Sequence, residues 1–154
     1  METNNNKNIF EMQTNVELVR RLEQLTPETK PLWGRMSVSQ MLKHCQKPIE
    51  VAEGKMNVSG GIMGFLFGKM AKKSFLKNPE FKKNLPTVPG FQILDEPDYT
   101  TEWDTLVGLV TKFREKGPAV IANKKHPFFG VMTDEEWGIL NYKHLDHHLK
   151  QFGV

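Results

Sequence analysis

The sequence predicts an all-α fold, a four-helix bundle with a long irregular excursion between the second helix and the later ones. Three observations carry this expectation. Apolar residues recur at helical spacing in four separate stretches, two capping boxes mark helix starts, and no stretch alternates convincingly as a strand would.

The first helix is expected from about Val16 to Leu25. Val16, Val19, Leu22 and Leu25 recur every third residue, Leu18 widens the stripe, and Thr26-Pro27 ends it. The second begins at Ser37, where Ser37 and Gln40 form an S-x-x-Q capping box, and runs to about Glu53 with Gly54 as its stop. Its apolar arc is Val38, Met41, Leu42, Cys45 and Ile49. Pro48 lies inside it and has no N–H for the carbonyl of His44, which predicts a kink or loosening there.

Residues 55–100 are less regular. Gly61 to Leu76 reads as a short, imperfect helix whose Met63, Phe65, Leu66, Phe67 and Met70 are expected to complete the core, with a ligand pocket or partner surface as the alternative. Asn78 to Pro97 holds four prolines and reads as an excursion of the kind that forms lids and pocket walls. A third regular helix fits Glu102 to Glu115, capped by Thr101, stopped by Gly117-Pro118, and turning Trp103, Leu106, Leu109, Val110 and Phe113 inward. The last helix starts at the capping box Thr133-Asp-Glu-Glu136 and runs to about Phe152, with Gly153 as its stop.

Composition narrows the function. A chain of 154 residues makes one ordinary domain, here expected over residues 9–154 after a polar, disordered tail at 1–8 that lacks the apolar core of a signal peptide. A net charge of +3 gives no concentrated basic face, so nucleic acid is not an expected partner. Lys69, Lys72, Lys73, Lys77, Lys82 and Lys83 meet only Glu80 in opposition and read as a solvated face. No apolar run approaches the roughly 18 residues of a membrane span, so no membrane is expected either. The single cysteine, Cys45, excludes a disulfide framework and a Cys-rich zinc site, and a lone thiol suits a reducing, cytoplasmic setting.

The histidines carry the chemistry. His144 and His148 sit one turn apart in Lys143-His-Leu-Asp-His-His-Leu149, on the same helix face, where two imidazoles can share one ion. Projection at about 100° per residue sends both inward and leaves His147 at the edge of a polar arc that includes Lys143, Asp146 and Lys150. On the second helix, Lys43, Gln46, Lys47 and Glu50 project outward, and His44 falls at the border of the apolar arc. His44 is therefore the expected third ligand, in preference to His126, which sits in a loop beside Pro127. Cys45 projects about 100° away from His44 and reads as a buried structural thiol. Three imidazoles suit zinc, nickel, iron or copper and leave a coordination position open. The competing reading is a histidine-rich helix end stabilised by the dipole. Gln40, Asp146 and His147 read as solvated surface residues, with proton transfer or support of the ligands as the alternative. Trp33, Trp137 and the Phe128-Phe129 pair read as structural, the pair acting as a staple into the last helix.

The segments Pro31-Leu-Trp-Gly-Arg-Met-Ser-Val-Ser-Gln-Met-Leu-Lys-His-Cys45 and His126-Pro-Phe-Phe-Gly130, continuing through His144, His148 and Gln151, resemble the DinB/YfiT-like superfamily of metal-dependent four-helix bundles. They resemble in particular a branch named only as a domain of unknown function. The resemblance implies one ligand on the second helix, matched by His44, and a His-x-x-x-His pair followed by Gln on the last, matched by His144, His148 and Gln151. It implies zinc or nickel, and an enzyme of thiol transfer or hydrolysis whose small-molecule substrate includes a low-molecular-weight thiol. A homodimer is compatible with it. The alternative function is a non-catalytic small-molecule or protein-binding helical module.

Overall fold

The computed structural model describes residues 6–154, the side chain of Met63 excepted. Its helices are α1 (Met12–Leu22), α2 (Val38–Ala52), α3 (Gly61–Lys77), α4 (Tyr99–Lys116) and α5 (Asp134–Gln151). A small antiparallel ribbon pairs β1 (Lys125–His126) with β2 (Gly130–Val131). The fold is thus mostly helical, and the ribbon corrects the expectation of no strands. Two residues per strand are too few to leave an alternating pattern in the sequence.

Helices α1, α2, α4 and α5 pack on one another, and their apolar stripes form the core. Leu18, Leu22, Met41, Leu42, Ile49, Leu106, Val110, Phe113, Leu145 and Leu149 are all buried there, each contributing about 1.5–3 kcal/mol of apolar burial. Both expected capping boxes are formed, Ser37 with Gln40 and Thr133 with Glu136. Helix α2 runs from Val38 to Ala52 without interruption through Pro48.

Two helix starts differ from expectation, and polar residues explain both. Helix α1 begins at Met12 because Asn15 is a buried structural residue: its Nδ2 donates to Ile9 O at 2.9 Å and to Val110 O at 2.8 Å. Such a residue breaks the apolar pattern while fixing α1 against α4. Helix α4 begins at Tyr99, because Asp98 rather than Thr101 is the cap, accepting from Thr101 N at 2.9 Å. A carboxylate satisfies the free N–H and meets the positive end of the helix dipole.

Three residues expected on outer arcs are buried: Gln46, Lys143 and Asp146, the last accepting from Arg21 Nη1 at 2.8 Å. Gln46 donates to Glu102 Oε2 at 2.7 Å across the α2–α4 contact. Lys143 sends its Nζ to Phe75 O at 2.6 Å and Asn78 O at 2.7 Å, tying α5 to the C-terminal end of α3. The packing of α3 over this face is what a projection of α5 alone misses.

Helix α3 also corrects the expectation for its own side chains. Ile62, Phe65, Leu66, Phe67 and Met70 are exposed, Phe65 to 89%, and do not complete the core; the Met63 side chain, expected there too, lies outside the described residues. Gly60, Gly64 and Gly68, spaced four apart, face the backbone of Pro127 and Phe128 so closely that a Cβ on Gly60 or Gly68 would collide with a carbonyl oxygen. Docking uses the glycine face, so the larger residues point away. Of the tail expected at 1–8, residues 1–5 lie outside the described residues. Asn6 donates to Leu76 O at 3.0 Å, and Asn8 donates to Glu135 O at 3.2 Å. No helix among the described residues is long and apolar enough to cross a membrane.

Candidate metal centre

Because α2 packs against α5, His44 comes to face the pair of histidines on α5. The spacing of four places His144 and His148 on consecutive turns, and His44 enters from the side. His44 Nε2 lies 3.1 Å from His148 Nε2 and 3.2 Å from His144 Nε2. The ligating atoms of the three all fall within 4.8 Å of one another. Imidazole nitrogens this close together suit ligation of one shared ion.

The outer edges of the rings decide where the protons are. His44 Nδ1 lies 2.9 Å from Phe91 O, and His148 Nδ1 lies 2.7 Å from Gln151 Oε1. Both oxygens only accept, so both Nδ1 atoms carry hydrogen and donate. The amide of Gln151 is itself oriented, because its Nε2 donates to Trp33 O at 2.9 Å. In the neutral rings, Nε2 of His44 and Nε2 of His148 are therefore bare lone pairs turned toward each other. No hydrogen bond can join them.

Protonation does not relieve this. Burial lowers the pKa of His44, partly offset by its bond to Phe91, and pushes His148 down to about 3 with a further contribution from His44. His144 is held well below the ordinary histidine range, first by burial and then by repulsion from His148 and His44. The cluster is neutral at pH 7, rich in lone pairs and poor in protons. Such a donor set could hold a metal ion.

The cluster opens on a cavity of about 430 Å³, within the size range of small-molecule sites. Its walls come from three places: Trp33 and Met36 before α2, Phe81, Leu85 and Phe91 from the excursion, and Phe128 and Phe129 from the ribbon turn. Residues 78–97 thus form a pocket wall, one of the roles expected of them. Phe128 and Phe129, expected as a staple into the last helix, line the cavity, and Trp33 lines it too. Trp137 is fully buried in the core.

A family model described as a protein of unknown function (DUF1569) matches residues 3–153. The chain belongs to that family. No curated protein and no solved structure matches it.

In this DUF1569 chain the other candidates fall as follows. His126 is buried against Phe129 and Trp137, and its Nδ1 accepts from the N–H groups of Phe128 and Phe129 at 3.1 and 3.3 Å, which makes it the organiser of the ribbon turn. His147 is half-buried, edge-on to His148 and Trp33, and faces the cavity. Gln40 and Asp146 are elsewhere. Gln40 closes the capping box and donates to Asp95 O at 3.0 Å. Asp146 pairs with Arg21 at 2.8 Å and Lys150 at 2.9 Å. Cys45 is buried, and burial pushes its thiol pKa up. The supporting oxygen of Phe91 could not be found from the DUF1569 sequence, since a backbone carbonyl leaves no residue-type signal.

Proposed function

We propose that the chain is a metal-dependent enzyme acting on a small molecule, with His44, His144 and His148 holding one zinc or nickel ion. The observation that carries this reading is the pair of unprotonated Nε2 atoms held 3.1 Å apart in a buried setting. The resemblance to DinB/YfiT-like four-helix bundles supports it, since that pattern has its ligands at the same three positions. His44, His144 and His148 would hold the ion, which when bound would supply acidification of a water or thiol or polarisation of a carbonyl.

The protein's own groups supply the rest. Gln151 and Phe91 fix the ring orientations, and the aromatic walls exclude water from a bound substrate. Burial keeps His147 neutral at pH 7, so its ring is free to accept a proton from a substrate in the cavity. Thiol transfer or hydrolysis, with a low-molecular-weight thiol among the substrates, is the reaction class this reading favours. The lone buried thiol supports a cytoplasmic setting. The cavity also serves the second reading, a binding module without turnover.

The test is metal analysis and titration of protein purified without a histidine tag. One equivalent of zinc or nickel is expected, with stoichiometric binding lost in both His44→Ala and His148→Ala. Metal content unchanged in both folded variants refutes the metal centre.

A further inference from the structure

Charge around the cavity is one-sided. Among the described residues its lining contains two cationic side chains, Arg35 and Lys82, and no carboxylate. Both residues are exposed, which puts them at the mouth rather than the floor. Among the described residues neither forms an ion pair. They also come from different segments, Arg35 from the turn before α2 and Lys82 from the excursion. Nearby, Lys83 stands over the ring of Trp33 at 4.3 Å, and Glu80 is engaged by Lys150 at 2.6 Å. The mouth therefore carries uncompensated positive charge above an apolar interior built of Phe81, Phe91, Phe128 and Phe129.

Each class of ligand meets this arrangement differently. A cation would face like charges at the entrance and find no acid to pair with inside. A neutral apolar molecule would gain wall contacts but use neither mouth residue. A highly charged, hydrophilic anion would leave the aromatic walls unused and lose its hydration. An anion with an apolar body uses both halves, with its charge at the mouth and its body against the rings.

We propose that the cavity binds organic anions with an apolar body, such as medium-chain or aromatic carboxylates, whose charged group is held at the mouth by Arg35 and Lys82. This deepens the reading under Proposed function and rests on it for the claim that the bound molecule is the substrate. It assigns Arg35 and Lys82 as specificity residues that select the substrate's charge from outside the ligand set.

Calorimetric titration with octanoate, octanol and octylamine, on zinc-loaded and on chelator-stripped protein, tests it. Octanoate is expected to bind at one per chain and about tenfold tighter than octanol, a preference worth about 1.4 kcal/mol, in both forms of the protein, and octylamine more weakly than either. The double variant Arg35→Gln, Lys82→Gln should bring octanoate to the level of octanol and leave octanol unchanged. Raising salt should weaken octanoate alone. The proposal is overturned if octanoate and octanol bind alike, or if the double variant keeps the full preference. It is also overturned if the preference exists only in loaded protein and disappears in His148→Ala, because the carboxylate would then be sitting on the ion. If the parent protein takes up no zinc yet keeps the preference, this inference stands and the metal centre is refuted instead.

Discussion

The sharpest consequence of the proton assignment concerns Gln151. Its Oε1 accepts from His148 Nδ1 at 2.7 Å while its Nε2 is held by Trp33 O at 2.9 Å. The amide cannot turn over without placing two acceptors together at Trp33, so it fixes His148 in the form whose Nε2 is free to ligate. Gln151→Met keeps the volume and the apolar packing but removes the acceptor. His148 then shares its proton between two nitrogens, loses its orienting bond and must desolvate an unpaired Nδ1–H. Loss of such a supporting contact costs about 10- to 100-fold in metal affinity, or about 1.4–2.7 kcal/mol. Gln151→Glu keeps an acceptor in place and should retain most of the affinity. The assay is competition with a chromophoric chelator, with circular dichroism to confirm the fold. A folded Gln151→Met protein that binds zinc within twofold of the parent would refute the tautomer argument.

The remaining predictions concern stability. Burial depresses the pKa of His126 to about 4 against an ordinary value of 6.5, so the unfolded chain binds more protons between those values. Stability from this group is complete above pH 6.5 and lost as pH falls toward 4, with a ceiling of about 3 kcal/mol. In urea titrations of metal-free protein across that range, His126→Gln should flatten the pH slope, and an unchanged slope contradicts the assignment. Gly68→Ala should destabilise by about 1–3 kcal/mol through its clash with Phe128 O. Gly108→Ala, on α4 with nothing within 4 Å of the added Cβ, should stabilise by about 1 kcal/mol. Thermal melts that rank the two alike would mean that α3 does not dock by its glycines. Cys45, buried and with its thiol pKa raised, should react with a disulfide reagent only at the rate of unfolding, so fast labelling of native protein would contradict its burial.

What the sequence discloses depends on whether a residue's role is local. The spacing of His144 and His148 is a property of one helix, and the border position of His44 a property of another. Each was legible alone, and the packing of α2 on α5 did the rest. Helix caps are equally local, which is why Ser37 and Thr133 could be read directly. Lys143 and Gln46 could not, because their burial is imposed by α3 and α4 from outside their own helices. The exposed face of α3 escapes periodicity for a related reason. Apolar content suggests core, but Gly60, Gly64 and Gly68 were the docking face. The walls of the cavity depend on where an irregular, proline-containing stretch returns to the helices, and periodicity says nothing about that.

The cluster itself conflicts with the logic of a stable core, and that conflict is testable. Three imidazoles, two buried and His144 part-buried, sit where packed helices would ordinarily place leucines, with lone pairs that no protein donor can satisfy all at once. Without an ion, this arrangement should cost stability, because a buried acceptor left unpaired costs about 1–3 kcal/mol. His144→Leu removes one such ring and leaves the Nδ1 bonds of His44 and His148 intact, so no acceptor at Phe91 or Gln151 is orphaned. The metal-free variant should therefore be more stable than the metal-free parent, by about 1–2 kcal/mol once the gain in apolar burial is included. Zinc should stabilise the parent by about 3 kcal/mol at a hundredfold excess over its Kd and the variant hardly at all. Denaturant titrations of both proteins with and without zinc measure all four states. If His144→Leu loses stability in the absence of metal, the ring is an ordinary packing element, and the case for a site maintained at the expense of the fold fails.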